Sequence, residues 1–174
     1  MLAYCFREII RNVFEHANTD SCTVMAQKWG DQAEIAIADA GRGIHDSLRE
    51  SHDIPNAEVA LREAIKPGVS RLREPQNQSE WDNTGFGLYI VSELGRQYGS
   101  FQISSSGMWL GISLAGERLA GIALRGTVIK LSVDTRNAEY FPNILHGIVV
   151  RGEQMYQGLT GRRKIASKSS SGLW

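Results

Sequence analysis

The sequence predicts an α/β sandwich of the α+β kind: two layers, with one mixed, mostly antiparallel sheet and helices packed on one of its faces. Three observations carry this. Each candidate helix has a single apolar stripe. The strand-like runs alternate apolar and polar residues. Gly99, Gly107, Gly116 and Gly126 punctuate the last three runs as in an antiparallel meander. The chain has 174 residues, 42% of them apolar and 22% charged, which fits one compact domain.

Residues 3–18 read as a helix, because Phe6, Ile9, Ile10, Val13 and Ala17 recur at three- and four-residue steps. Asn18, Thr19 and Asp20 end it. Residues 21–29 form a strand, Gly30-Asp31 a hairpin turn, and 33–38 a second strand in which Ile35 and Ile37 alternate with Glu34 and Ala36. A turn of small residues, Asp39-Ala40-Gly41-Arg42-Gly43-Ile44, follows. Residues 45–84 are polar and broken, with one helix at 57–66 that Asn56 caps and Pro67-Gly68 stops. The stretch 69–84 reads as a mobile loop, and a loop that long inside a domain is usually functional or disordered. Gly85-Phe86-Gly87 opens a helix to Tyr98, with Leu88, Val91 and Leu94 on one face. Strands follow at 100–105, 109–115 and 126–133. Residues 137–160 are ambiguous and read as a strand at 148–150 and a short helix. The end, 161–174, carries Arg162, Arg163, Lys164 and a serine run, and reads as a flexible tail.

Charge and cysteine usage narrow the function. Lys+Arg and Asp+Glu both count 19, and a neutral chain argues against a dedicated nucleic-acid binder. No apolar run approaches a membrane span, so no membrane partner is expected. No secretory signal opens the chain, and two cysteines make neither a disulfide framework nor a zinc cluster. The expected location is the cytoplasm.

Three motifs could carry chemistry. Glu8 and Asn12 stand one helical turn apart, and His16 continues their face. A carboxylate can orient or deprotonate water, and an amide oxygen suits magnesium beside phosphate oxygens. By itself the pattern also reads as the wet face of an amphipathic helix. Asp39, at the end of an apolar strand, can accept a hydrogen bond from an exocyclic amine such as that of adenine, and Gly41 and Gly43 let backbone approach a flat ligand. The same residues also read as a tight turn with a capping Asp. Gly85, Gly87 and Leu88 stand at a helix start, where freed amides make a phosphate site or simply a glycine-rich first turn. The third glycine of a dinucleotide fingerprint is missing, and no GxxxxGK[ST] run exists.

In this order, over residues 3–133, the motifs resemble those of the GHKL ATPase superfamily, which includes gyrase-type ATPases, a large heat-shock chaperone, histidine kinases and mismatch-repair ATPases. Gly126-Thr127-Val128-Ile129-Lys130-Leu131 is similar to its final strand. The resemblance implies a Bergerat-type fold that binds ATP and Mg2+. It implies Glu8 as general base, Asn12 as magnesium ligand, Asp39 as the adenine carboxylate beside Gly41 and Gly43, Gly85, Gly87 and Leu88 at the phosphates, and Thr127 near the adenine. The segment 45–84 becomes the ATP lid of a domain at 1–135, followed by an extension at 136–160 and the tail. His16 stands where histidine kinases often have a second Asn, and no Lys or Arg follows it closely. A phosphate-neutralising cation must come from elsewhere, with Lys66 and Arg71 as candidates. Relatives carry structure before the Asn-bearing helix, so an excised domain or a fused or separate protein partner is expected. Function narrows to slow ATP hydrolysis or phosphotransfer, as the ATPase part of a larger bacterial-type regulatory protein. The alternative is a non-catalytic nucleotide sensor whose ATP-ordered lid recruits a partner.

Overall fold

The structure is a computed structural model that describes residues 2–70, 84–136 and 138–166. The first helix, α1 (Leu2–His16), turns Cys5, Ile9 and Val13 into the core, and Phe6 and Ile10 flank that stripe. A hairpin follows, β1 (Thr23–Trp29) and β2 (Gln32–Asp39), with Trp29 opposite Gln32. Two short helices, α2 (Ile44–Leu48) and α3 (Ala57–Ala64), come next. Asn56 caps α3 as its sequence position predicts, accepting a bond from the Val59 amide at 3.0 Å. Then come α4 (Gly87–Tyr98), β3 (Gly99–Ser105), β4 (Met108–Ser113), β5 (Gly116–Gly121), β6 (Thr127–Asp134) and α5 (Phe141–Thr160).

The strands form one sheet in the order β1-β2-β6-β3-β4-β5, with every described pairing antiparallel. Alternate residues decide its faces. Ile35 and Ile37, Ile129, Leu131 and Val133, Phe101 and Ile103, and Leu110 and Ile112 are buried beneath α1, α3 and α4. The other face carries the Glu34–Lys130 ion pair and Trp109, whose indole N–H donates to Gln102. The predicted sandwich, with helices on one face, is what the chain adopts. The final strand has to run between β2 and β3, so β6 is the centre of the sheet although it comes last in sequence.

Three elements differ from the sequence reading. Residues 137–160, read as a strand at 148–150 and a short helix, hold a twenty-residue helix instead. Ile148 and Val149 resemble a strand core, yet with Leu145 and Gly152 they make one helical stripe that packs on α4. Residues 116–121, which lie between the strands expected at 109–115 and 126–133, form the edge strand β5, whose residues are largely exposed and so show no burial alternation. The segment 161–166, read as the start of a flexible tail, packs back on the domain with Ala166 buried. The mobile loop expected at 69–84 falls, from 71 to 83, outside the described residues, and so does the rest of the tail.

Candidate functional site

Glu8 and Asn12 flank the core stripe of α1 rather than forming a wet face. Glu8 is only 3% exposed. Its Oε1 has no hydrogen-bond partner among the described residues, and the Arg7 Nε lies 3.6 Å away. The carboxylate lies against the start of α4: a Cβ on Gly87 would sit 2.4 Å from Glu8 Oε2. Only glycine permits that approach, so the second motif glycine is what makes room for the carboxylate of the first motif. Burial pushes the Glu8 carboxyl above the ordinary carboxylate range, and the Arg11 and Arg7 charges offset part of this.

The raised value has a stability consequence. A carboxyl whose pKa is higher folded than unfolded binds more protons in the native state between the two values. Its stability contribution is therefore fully present below the unfolded value of about 4.3 and is lost as pH rises through the native one. Glu8→Gln removes that loss. It should raise the melting temperature near neutral pH, by about 2–4 °C for each kcal/mol recovered in a protein of this size, with a gain that vanishes in acid. Thermal melts of both proteins across that range test this, and an equal melting temperature at neutral pH would show that the burial of Glu8 costs nothing.

Asp39 is the last residue of β2 and is 9% exposed. The Gly41 amide donates to its Oδ1 at 2.8 Å, and the Thr127 amide also donates to the side chain. Burial raises the Asp39 pKa, and these two backbone donors oppose the rise. The register places Thr127 opposite both Asp39 on β2 and Ser105 on β3. Ser105 is fully buried, and its Oγ accepts from the Ile44 amide at 2.9 Å and lies 3.1 Å from both the Gly126 carbonyl and Thr127 Oγ1. It thereby ties the glycine loop to the strand that carries Thr127. Nothing in the run Ser104-Ser105-Ser106 announces this role, because small polar residues at the end of the 100–105 strand do not show which strand they will face. Only the strand register exposes it.

One cleft collects these groups. It is open to solvent at its mouth and is lined mainly by apolar side chains with a few polar groups among them, as small-molecule sites are. Asn12, Asp39, Gly43, Gly85, Gly87, Leu88 and Thr127 all line it, so the structure brings together seven of the eleven predicted residues. His16, Ser47 and Ser70 also line it and were not predicted for binding. Ser70 is buried, and neither its hydroxyl nor the Asn12 amide nitrogen has a partner among the described residues. Apolar walls come from Ile9, Val13, Ile44, Leu48, Val69 and Ile129.

The other four lie elsewhere. Glu8 stands behind Gly87, outside the lining. Gly41 packs on the end of α1, where a Cβ would meet the Ala17 carbonyl at 2.1 Å, and the neighbouring Arg42 amide donates to that same carbonyl. Its bare backbone thus serves loop packing. Lys66 pairs with Glu63 at 2.5 Å, about half exposed and away from the cleft. Arg71 lies outside the described residues. No described Lys or Arg lines the cleft, and no described trio of His, Cys, Asp or Glu could hold a metal by itself.

Residues 1–137 match the family model described as histidine kinase-, DNA gyrase B-, and HSP90-like ATPase. No curated protein matches the chain in sequence. Among solved structures, it is similar to the 43K ATPase domain of Thermus thermophilus gyrase B in complex with an aminocoumarin, at 14% identity and a TM-score of 0.40. That similarity covers 85% of this chain and 41% of the gyrase B chain, so this chain spans less than half the length of that one. No helix described here is long and apolar enough to cross a membrane. With the family model covering 137 residues and the motif residues gathered around one cleft, the chain belongs to the histidine kinase-, DNA gyrase B- and HSP90-like ATPase family.

Proposed function

We propose that this chain is a magnesium-dependent ATP-binding module that turns ATP over slowly, by hydrolysis or phosphotransfer, as the ATPase part of a larger cytoplasmic regulatory protein. The observation that carries this is the cleft itself. It has a carboxylate at one end, two glycines of a helix start at the other, and buried polar atoms of Asn12 and Ser70, without partners among the described residues, on the lining between. Buried polar groups are normally satisfied, and orphans that line one cavity point to a polar ligand. In this reading Asp39 accepts from the adenine amine, Thr127 and Gly43 shape the base pocket, and Gly85, Gly87 and Leu88 receive the phosphates at the start of α4.

Magnesium fits the same residues. One amide, with no cluster of carboxylates among the described residues, suits an ion that keeps its waters and takes phosphate oxygens, as Mg2+ does with nucleotides. Asn12 would hold it, and the ion would neutralise phosphate charge where no described Lys or Arg lines the cleft. Glu8 supplies the base. A second reading, a sensor that binds ATP without turning it over and recruits a protein partner, is favoured by one observation: Glu8 stands behind Gly87 rather than on the cleft wall.

Calorimetry with a non-hydrolysable ATP analogue tests binding, with magnesium and with a chelator. Magnesium should strengthen binding to the wild type by about tenfold or more, a coupling of at least about 1.4 kcal/mol. Asn12→Ala should lose most of that increment. Equal binding in chelator would remove the metal from this reading. Steady-state phosphate release then separates the two readings, since a sensor shows none.

A further inference from the structure

Outside the cleft, residues beyond the family-matched region converge on one glycine at its rim, Gly68. Gly152 lets α5 close on α4, since a Cβ there would fall 2.5 Å from the Tyr89 ring. One turn further along α5, the Tyr156 ring tilts against Phe86 at 6.4 Å and lies flat on Gly68, where a Cβ would come within 2.4 Å of Cδ2. The chain leaves α5 at Gly161 and returns along the same surface. Lys164 Nζ sits 5.4 Å over the Tyr156 ring and donates to the Gly68 carbonyl at 3.0 Å. The Ala166 amide anchors the end of this strap by donating to Glu153 Oε1 at 2.9 Å.

Gly68 is thus held three ways. Its carbonyl takes Lys164, its face takes Tyr156, and its own amide donates to the Gly85 carbonyl at 3.1 Å. The residues attached to it, Val69 and Ser70 on one side and Gly85 across the bond, line the cleft. Resting on the ATP reading above, we infer that Tyr156 and Lys164 are positioning residues for the nucleotide site. The docked strap sets the wall formed by Val69, Ser70 and Gly85 before the ligand arrives. A wall ordered in advance spares the ligand that entropic cost, which appears as affinity. The coupling is reciprocal: bound nucleotide, by fixing the wall, also holds the strap down.

The test uses the full chain, the non-hydrolysable ATP analogue with magnesium, calorimetry and residue-resolved amide exchange. In the wild type the analogue should slow exchange at Gly68 and, away from the cleft, at Ala166. Lys164→Met should weaken analogue binding by about three- to tenfold, the range of one typical net hydrogen bond. Lys164→Arg should restore it. Glu153→Leu, which frees the strap without touching Gly68, should shift affinity in the same direction, which guards against a purely local defect at Lys164. If the wild type binds the analogue but Ala166 exchange does not move and both variants bind as the wild type does, the strap is only a brace for the fold and the inference fails alone. If the wild type does not bind the analogue, the ATP reading fails and this inference falls with it.

Discussion

Glu8→Gln is expected to abolish steady-state phosphate release while leaving the dissociation constant for nucleotide equal or lower. A positioned base contributes about 10²–10⁴-fold to rate, so the loss should be the largest of any single substitution in this chain. Affinity should hold because a buried carboxylate near phosphates repels them, and removing its charge relieves that repulsion. The geometry adds a condition. Glu8 Oε2 packs against the bare Cα of Gly87, so Gly87→Ala should reproduce the turnover defect by pressing a methyl group on it. Wild-type turnover in Glu8→Gln would mean that another group activates the water. No turnover in the wild type would leave the sensor reading standing and give Glu8 no catalytic role.

The second large effect belongs to Asp39. Asp39→Ala should weaken binding of the ATP analogue by about ten- to a hundredfold, since a base amine left without an acceptor in a desolvated pocket costs on the order of 1–3 kcal/mol. The variant also strips the Gly41 and Thr127 amides of their acceptor, so part of the loss arises from a loosened loop. Asp39→Asn separates the two effects. It keeps an oxygen for one backbone donor but presents a nitrogen donor or a weaker acceptor to the adenine. Calorimetry on both variants, with GTP as a control base, measures the difference. Unchanged affinity in Asp39→Asn would remove this residue from base recognition.

Much of this molecule is legible in its sequence. The apolar steps of Ile9, Val13 and Ala17, the alternation of Ile35 and Ile37, and the Asn56 cap are local rules, and local rules predict local structure. The order of an acidic-amide helix, an Asp-bearing strand end and a glycine-opened helix was sufficient to anticipate the fold and seven residues of the cleft. What the linear pattern could not carry was burial and neighbourhood. Glu8 looks like a wet-face residue because charge at a flanking position normally faces water, and only the approach of α4 through Gly87 buries it. Ser105 looks like the ordinary end of a strand until β6 inserts between β2 and β3 and sets it opposite Thr127.

The same division holds at the C-terminus. Ile148 and Val149 have strand-like character by themselves, and packing against α4 settled them as helix, because Leu145, Ile148, Val149 and Gly152 then share one buried stripe. Lys164, read from composition as part of a solvated basic end, is drawn back by a carbonyl 96 positions away, a partner no local pattern encodes. Sequence alone determined which segments are helix or strand where periodicity is strong, and which residue types stand at the cleft. Tertiary structure alone decided which of those groups are desolvated and which backbone atoms meet, because both depend on residues far apart in the chain.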